Sequence, residues 1–260
     1  MSKMKQTFYV IVMLWMAVLT TSCVTVKEPD AFERNKDLEK SLKTYVTLGI
    51  RYLQQGDMEN ASRTLNKAYE INSDDPQVNN ALALFYTVED EPAQVVQHYE
   101  AALKEDPNFS TARNNYAAFL FEQGDYSKAL EQLKVVTKDY RYPRRFQSFE
   151  NMGLCYIKLE DIPLAEKAFK RALQLNPRQP KSLIEMAEIS FNKQEYRATT
   201  FYMSQLDKLK VGPSPRKLWL EIQLSRVLGN KNKLASLELA LKNLFPDSAE
   251  YKAFLASQEQ

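Results

Sequence analysis

The 260-residue chain is 44% hydrophobic and 26% charged, the balance of a folded protein with a core of its own, which excludes a disordered chain. It has only 6 glycines and no long β-branched run. With abundant Leu, Ala, Glu, Lys and Gln, this predicts a mostly helical chain. The formal charge of +2 comes from Lys3 and Lys5; beyond residue 22, 33 basic residues face 33 acidic ones, so no nucleic-acid footprint is present.

Lys3 and Lys5 precede an apolar run from Phe8 to Leu19, and Thr20-Thr21-Ser22-Cys23 follows. A basic start, a short apolar segment and small residues at a cut site are the layout of a secretory signal. The run falls short of the about 20 residues that a spanning helix needs. The residues before Cys23 resemble a bacterial lipobox, with Leu19 one position further from the cysteine than is usual. The resemblance implies cleavage after residue 22 and acylation of Cys23. With Val24 next to it instead of aspartate, it also implies the periplasmic face of the outer membrane. Several acyl chains at about 0.8 kcal/mol per buried methylene make release negligible. Cys155 is left without an intrachain partner and reads as a small core residue. Residues 24–37 carry Pro29, mixed charge and weak periodicity, and are expected to form a tether. The chain thus divides into a signal (1–22), a lipidated cysteine with its tether (23–37) and a folded domain (38–260).

The rest of the chain repeats. Gly49 and Gly153 are 104 residues apart, three periods of 34 plus two; Pro107 and Pro177 are 70 apart, two periods plus two. One two-residue insertion near Tyr140–Arg145 satisfies both. The period is that of the tetratricopeptide repeat (TPR), with starts near 42, 76, 110, 146, 180 and 215. In the first repeat Gly49, Tyr52, Gly56-Asp57, Ala61 and Ala68 fall at the expected offsets, and in the second Ala83, Tyr86, Tyr99, Ala102 and Pro107 do. The third carries Tyr116, Ala117, Gly124-Asp125 and Ala129. The fourth is the cleanest, with Gly153, Tyr156, Ala165, Phe169, Ala172 and Pro177, and the last two are weaker. Gly or Ala at position 8 and Ala at position 20 let two helices approach closely; Gly-Asp ends one helix and caps the next; Pro closes the pair. One repeat cannot bury its apolar face alone, so the expected fold is an all-α superhelical solenoid of about six TPR repeats.

Chemistry is sparse. His98 has no histidine or cysteine at ligand spacing, and no phosphate-binding loop or dinucleotide turn occurs, so no metal, cofactor or small-molecule substrate is expected and the chain reads as a non-enzyme. The most basic patch is Arg141, Arg144 and Arg145 beside Tyr142-Pro143, which suits an anionic lipid or an acidic partner; an exposed inter-repeat loop is the plainer reading.

In such a solenoid the first helix of each pair lines the concave face, and positions 5, 9 and 12 point into it. These are Val46, Ile50 and Leu53; Asn80, Leu84 and Thr87; Asn114, Ala118 and Phe121; and Glu150, Leu154 and Ile157. An apolar stripe with asparagines interleaved suits a groove that takes an apolar or amphipathic peptide. Alternatively, the tether or the C-terminal helix folds back over it. Val46 and Ile50 stand where carboxylate-clamping TPR modules carry cations, so the groove is not such a clamp.

The blocks Asn114-Asn115-Tyr116-Ala117-Ala118-Phe119-Leu120 and Phe149-Glu150-Asn151-Met152-Gly153-Leu154, with Leu244-Phe245-Pro246-Asp247-Ser248 near the end, resemble the type IV pilus biogenesis and stability lipoproteins (PilF/PilW-like TPR pilotins). That resemblance implies an outer-membrane lipoprotein that binds the pilus secretin subunit and promotes its localisation and multimerisation. A general TPR envelope scaffold, organising peptidoglycan or outer-membrane assembly enzymes, is the alternative with the same anchor and fold.

Overall fold

The computed structural model describes residues 31–258. The signal and lipidation site expected at 1–23 lie outside them, as do residues 24–30. Among the described residues there are thirteen helices and no strand. They pair as α1 (Ala31–Gln55) with α2 (Met58–Ile71), α3 (Pro76–Val88) with α4 (Pro92–Glu105), and α5 (Ser110–Glu122) with α6 (Tyr126–Val136). Next come α7 (Arg145–Lys158) with α8 (Ile162–Leu175), α9 (Pro180–Asn192) with α10 (Tyr196–Lys208), and α11 (Pro215–Val227) with α12 (Lys231–Leu244). A single helix, α13 (Ala249–Ala256), follows. This is the all-α TPR superhelix. The first helix of each pair is called A below and the second B.

Local chemistry sets the boundaries. Pro stands at the first turn of α3, α4, α8, α9 and α11, where its missing N–H is no loss. Asp57, Asp75 and Asp161 cap the following helices through side-chain oxygens. Each A helix stops at a left-handed residue. It is Gly56, Gly124 and Gly229 in three repeats, and Asp90, Glu160 and Gln194 in the other three, at φ of 58°, 61° and 61°.

Where small residues were expected to allow close crossings, they do. A Cβ on Gly49 would stand 2.5 Å from Leu65, and Ala83, Ala117 and Ala187 at the equivalent place are buried. Ile222 takes that place in the sixth repeat, and α12 buries only Leu237 and Leu241. The core is a chain of clusters along the solenoid. The largest joins repeats two to four around Tyr99, which stacks on Tyr116 at 5.1 Å between ring centres.

The tether is shorter than expected. The chain is helical from Ala31, so 31–37 belongs to α1 and not to the linker. After Pro29 nothing breaks a helix, and Glu39 and Lys43 form an ion pair one turn apart at 2.6 Å. Residues 35–40 are exposed, so propensity and continuity with the packed half of α1 hold this extension helical, with no help from burial.

Candidate functional site: the concave face

Adjacent A helices touch along a seam, and the seam is polar. Asn115 Nδ2 on α5 donates to Asn80 Oδ1 on α3 at 3.1 Å, and Ser148 Oγ on α7 donates to Asn114 Oδ1 at 2.9 Å. The Ser182 hydroxyl and backbone N–H on α9 donate to Glu150 at 2.7 and 3.1 Å. Arg216 Nη1 on α11 donates to Glu185 at 2.8 Å. All four acceptor residues are buried.

This corrects the reading of position 5. Asn114, Asn80 and Glu150 do not interrupt an apolar stripe that meets a peptide; they are hydrogen-bonded to the next A helix. Val46, the first residue of the series, is buried in the first core cluster. Position 5 faces the neighbouring repeat because stacking turns that side of each A helix into the seam. The recurrence of Asn80, Asn114 and Glu150 at one offset was the available signal. An unpaired polar group there would be costly, so a partner on the next repeat was the economical inference.

Positions 9 and 12 divide. Ile50 and Leu53 pack against the first cluster, Phe121 against the largest, and Leu154 and Ile157 against the cluster around Phe169 and Met186. They are half-buried, so the fold itself uses part of each side chain. Leu84 is half-buried like them but belongs to none of these clusters. With exposed Thr87 and Ala118 it lines a cleft of about 370 Å³ between α3 and α5. Val95, Tyr99 and Phe119 also line it, and Asp90, Glu91 and Glu122 supply acidic side chains. The surface is apolar at its base and acidic around it. The C-terminal helix leaves it free: α13 docks on the sixth repeat, where Phe254 joins Leu218, Ile222, Leu237 and Leu241.

His98 lies behind this face on α4. Its Nδ1 is 2.9 Å from Asn79 Oδ1, and the ring stacks on Tyr86 at 5.3 Å. Asn79 Nδ2 already donates to the carbonyls of Ser73 and Asp75. Its Oδ1 is therefore the acceptor and His98 carries its proton on Nδ1. Burial pushes the imidazole pKa down. Burial likewise raises the Cys155 thiol to about 11, far from a reactive thiolate. Among the described residues no group of three or more His, Cys, Asp or Glu side chains converges on a metal position, and no helix is long and apolar enough to cross a membrane.

Residues 42–75, 89–149 and 147–179 match the tetratricopeptide repeat family. Repeat architecture and helix pairing together define a TPR scaffold fold. The chain is 34% identical over 243 residues to the type IV pilus assembly protein PilF of Pseudomonas aeruginosa, covering 94% of this chain and 96% of that one. A solved structure of Pseudomonas aeruginosa PilF superposes with a TM-score of 0.82 at 34% identity, covering 85% of this chain and 99% of the other. The crystal structure of PilW, a type IV pilus biogenesis factor, shares the fold with a TM-score of 0.71 at 21% identity, covering 82% and 98%. The chain belongs to this family of type IV pilus biogenesis TPR proteins.

Proposed function

We propose that this protein is an outer-membrane lipoprotein pilotin. Cys23, acylated after loss of residues 1–22, holds it to the periplasmic face of the outer membrane. Its concave face binds a segment of the type IV pilus secretin subunit and promotes the localisation and multimerisation of that subunit. The cleft between α3 and α5 carries the reading: Leu84, with exposed Thr87 and Ala118, offers surface that no core cluster uses, beside Asp90, Glu91 and Glu122. An occupant with apolar anchors and basic flanks suits it. Hot spots are few and each is worth about 2 kcal/mol or more on truncation, so Leu84 is expected to dominate. Ile50 and Phe121 extend the surface to either side.

The test is secretin multimer formation in envelope fractions. Leu84→Asp and Ala118→Arg are expected to abolish multimers while the melting temperature stays within a few degrees. Ile50→Asp and Phe121→Asp weaken binding too, but they also cost stability because both side chains pack on the core. Lys128→Glu, an exposed change on the B helix α6, leaves multimers intact. If the Leu84 and Ala118 variants fold and still support normal multimers, the groove is not the site. Capture of peptidoglycan hydrolases or outer-membrane assembly components instead of secretin would favour the general scaffold. The anchor has its own test: mass spectrometry of the mature protein should show acyl mass on Cys23, and Cys23→Ser should remove it.

A further inference from the structure

Every A helix runs in the same direction, so all B-to-A turns lie along one edge of the solenoid. The N-terminal end of α1, from which the first thirty residues continue, points to that same edge. The charge of these turns changes sign along the molecule. The α2–α3 turn carries Asp74 and Asp75, and the α4–α5 turn follows Glu105 with Asp106. The last turn, α12–α13, carries the exposed acid Asp247, but from the α6–α7 turn to the α10–α11 turn the edge carries Arg141, Arg144, Arg178, Lys181, Lys208 and Lys210, all exposed. None of these six has an ion-pair partner among the described residues.

The α6–α7 turn, residues 137–144, is the longest of them and holds the two-residue insertion. It lifts Tyr140 into solvent at 84% exposure, the highest among the large apolar side chains described. Beneath it Arg145, the first residue of α7, is only 8% exposed. Its guanidinium carbon lies 4.4 Å from the centre of the Tyr140 ring. Arg145 Nη1 is the one buried side-chain nitrogen or oxygen among the described residues with no hydrogen-bond partner. The only carboxylate in the turn is already engaged: Asp139 accepts from Ser110 Oγ at 2.7 Å and from the Arg141 N–H at 3.0 Å. The start of α7 also lacks a side-chain cap. A buried cation without an acceptor is costly, and a helix N-terminus beside three arginines is a place for an anion with several oxygens, such as a phosphate.

We propose that this basic edge faces a phospholipid membrane: Tyr140 enters the bilayer interface, and Arg145, with Arg141 and Arg144, receives the phosphate of an anionic headgroup. An exposed aromatic ring flanked by arginines is the composition that such an interface favours. The proposal rests in part on the reading of an N-terminal anchor, because α1 begins at the same edge and an anchor ahead of it brings membrane there.

The test is hydrogen–deuterium exchange of the full chain on vesicles, read at the peptide spanning residues 137–145, with vesicle sedimentation measured in parallel. Phosphatidylglycerol vesicles are expected to slow exchange there several-fold, and phosphatidylcholine vesicles are not. A Tyr140→Ser, Arg141→Glu, Arg144→Glu triple variant changes only exposed positions, so it should keep its helical circular dichroism and lose the protection. Sedimentation without protection at 137–145 overturns the proposal and leaves the anchor standing. Protection that persists in Cys23→Ser upholds the membrane-facing edge without the anchor. Equal protection by millimolar inorganic phosphate alone overturns the membrane as the occupant. No sedimentation with phosphatidylglycerol overturns both.

Discussion

A Cβ built on Gly153 would stand 2.5 Å from the Phe169 ring, closer than carbon atoms approach one another. The residue is glycine because α7 and α8 cross there with Phe169 fully buried between them. Gly153→Leu forces the crossing apart and is expected to cost 1–3 kcal/mol or more, as overpacked cores typically do (about that range). Urea unfolding reads it; an unchanged midpoint would mean the repeat register is wrong. His98 is a second point of stress. Its neutral ring donates to Asn79 and is buried against Tyr86, and burial depresses its pKa. The unfolded chain therefore binds the proton first. The stability that this histidine supplies is full above its unfolded pKa of about 6.5 and is lost as pH falls from there through the folded value. Denaturation midpoints should drop between pH 7.5 and 5, and His98→Gln should flatten that slope.

Pairs of helices depend on how their ends are closed. All six A helices end in a left-handed residue, yet three of the six are Asp90, Glu160 and Gln194, which take that conformation at a cost of roughly 1–2 kcal/mol relative to glycine. Glycine gives part of this back through the entropy of the unfolded chain. Glu160→Gly, at an exposed turn, is thus expected to raise stability by about 0.5 kcal/mol, read as a small upward shift in urea midpoint. Helix starts are shared between repeats in one case. The residue before α9, Gln179, makes no side-chain cap. Instead the Glu150 carboxylate, from the preceding repeat, accepts the N–H and hydroxyl of Ser182 in the first turn of α9. The negative charge also faces the positive end of the α9 dipole. Glu150→Ala strands these donors in a buried seam and should cost about 1–3 kcal/mol, with the loss appearing as faster hydrogen exchange at the start of α9.

A solenoid is only as stable as its open ends, since each repeat leans on its neighbours. The C-terminal end is closed by α13. Phe254 sits against Trp219, with ring centres 6.3 Å apart, and Arg226 spans both rings and donates to Ser257 Oγ. Phe254→Ala should cost about 3–5 kcal/mol by the usual large-to-small range. Because the loss falls on one end, exchange protection should collapse in α11 and α12 first and remain in repeats two to four. The concave cleft lies in that protected middle, so this variant is expected to keep its partner. Loss of partner binding together with full protection of α3 to α5 would place the interface near the C-terminal cap.

Period, helix pairing and the positions of close crossing were legible in the residues alone, because each repeat must solve the same packing problem with the same small set of side chains. Gly49, Gly153, Ala117 and Phe169 carry that problem visibly, and the extra residues before Arg145 mark the one long turn. What faces the groove was not legible. Position 5 of the A helix looks open when one repeat is considered and is a sealed polar seam once the next repeat stacks on it. Val46 and Asn114 are therefore buried between helices, while Leu84 lines the open cleft. The burial of Arg145 under Tyr140 was equally hidden: three neighbouring arginines read as solvated charge until the fold shows which one is buried with a hydrogen-bond donor unmatched. Such facts belong to contacts between repeats, and no spacing within a repeat encodes them.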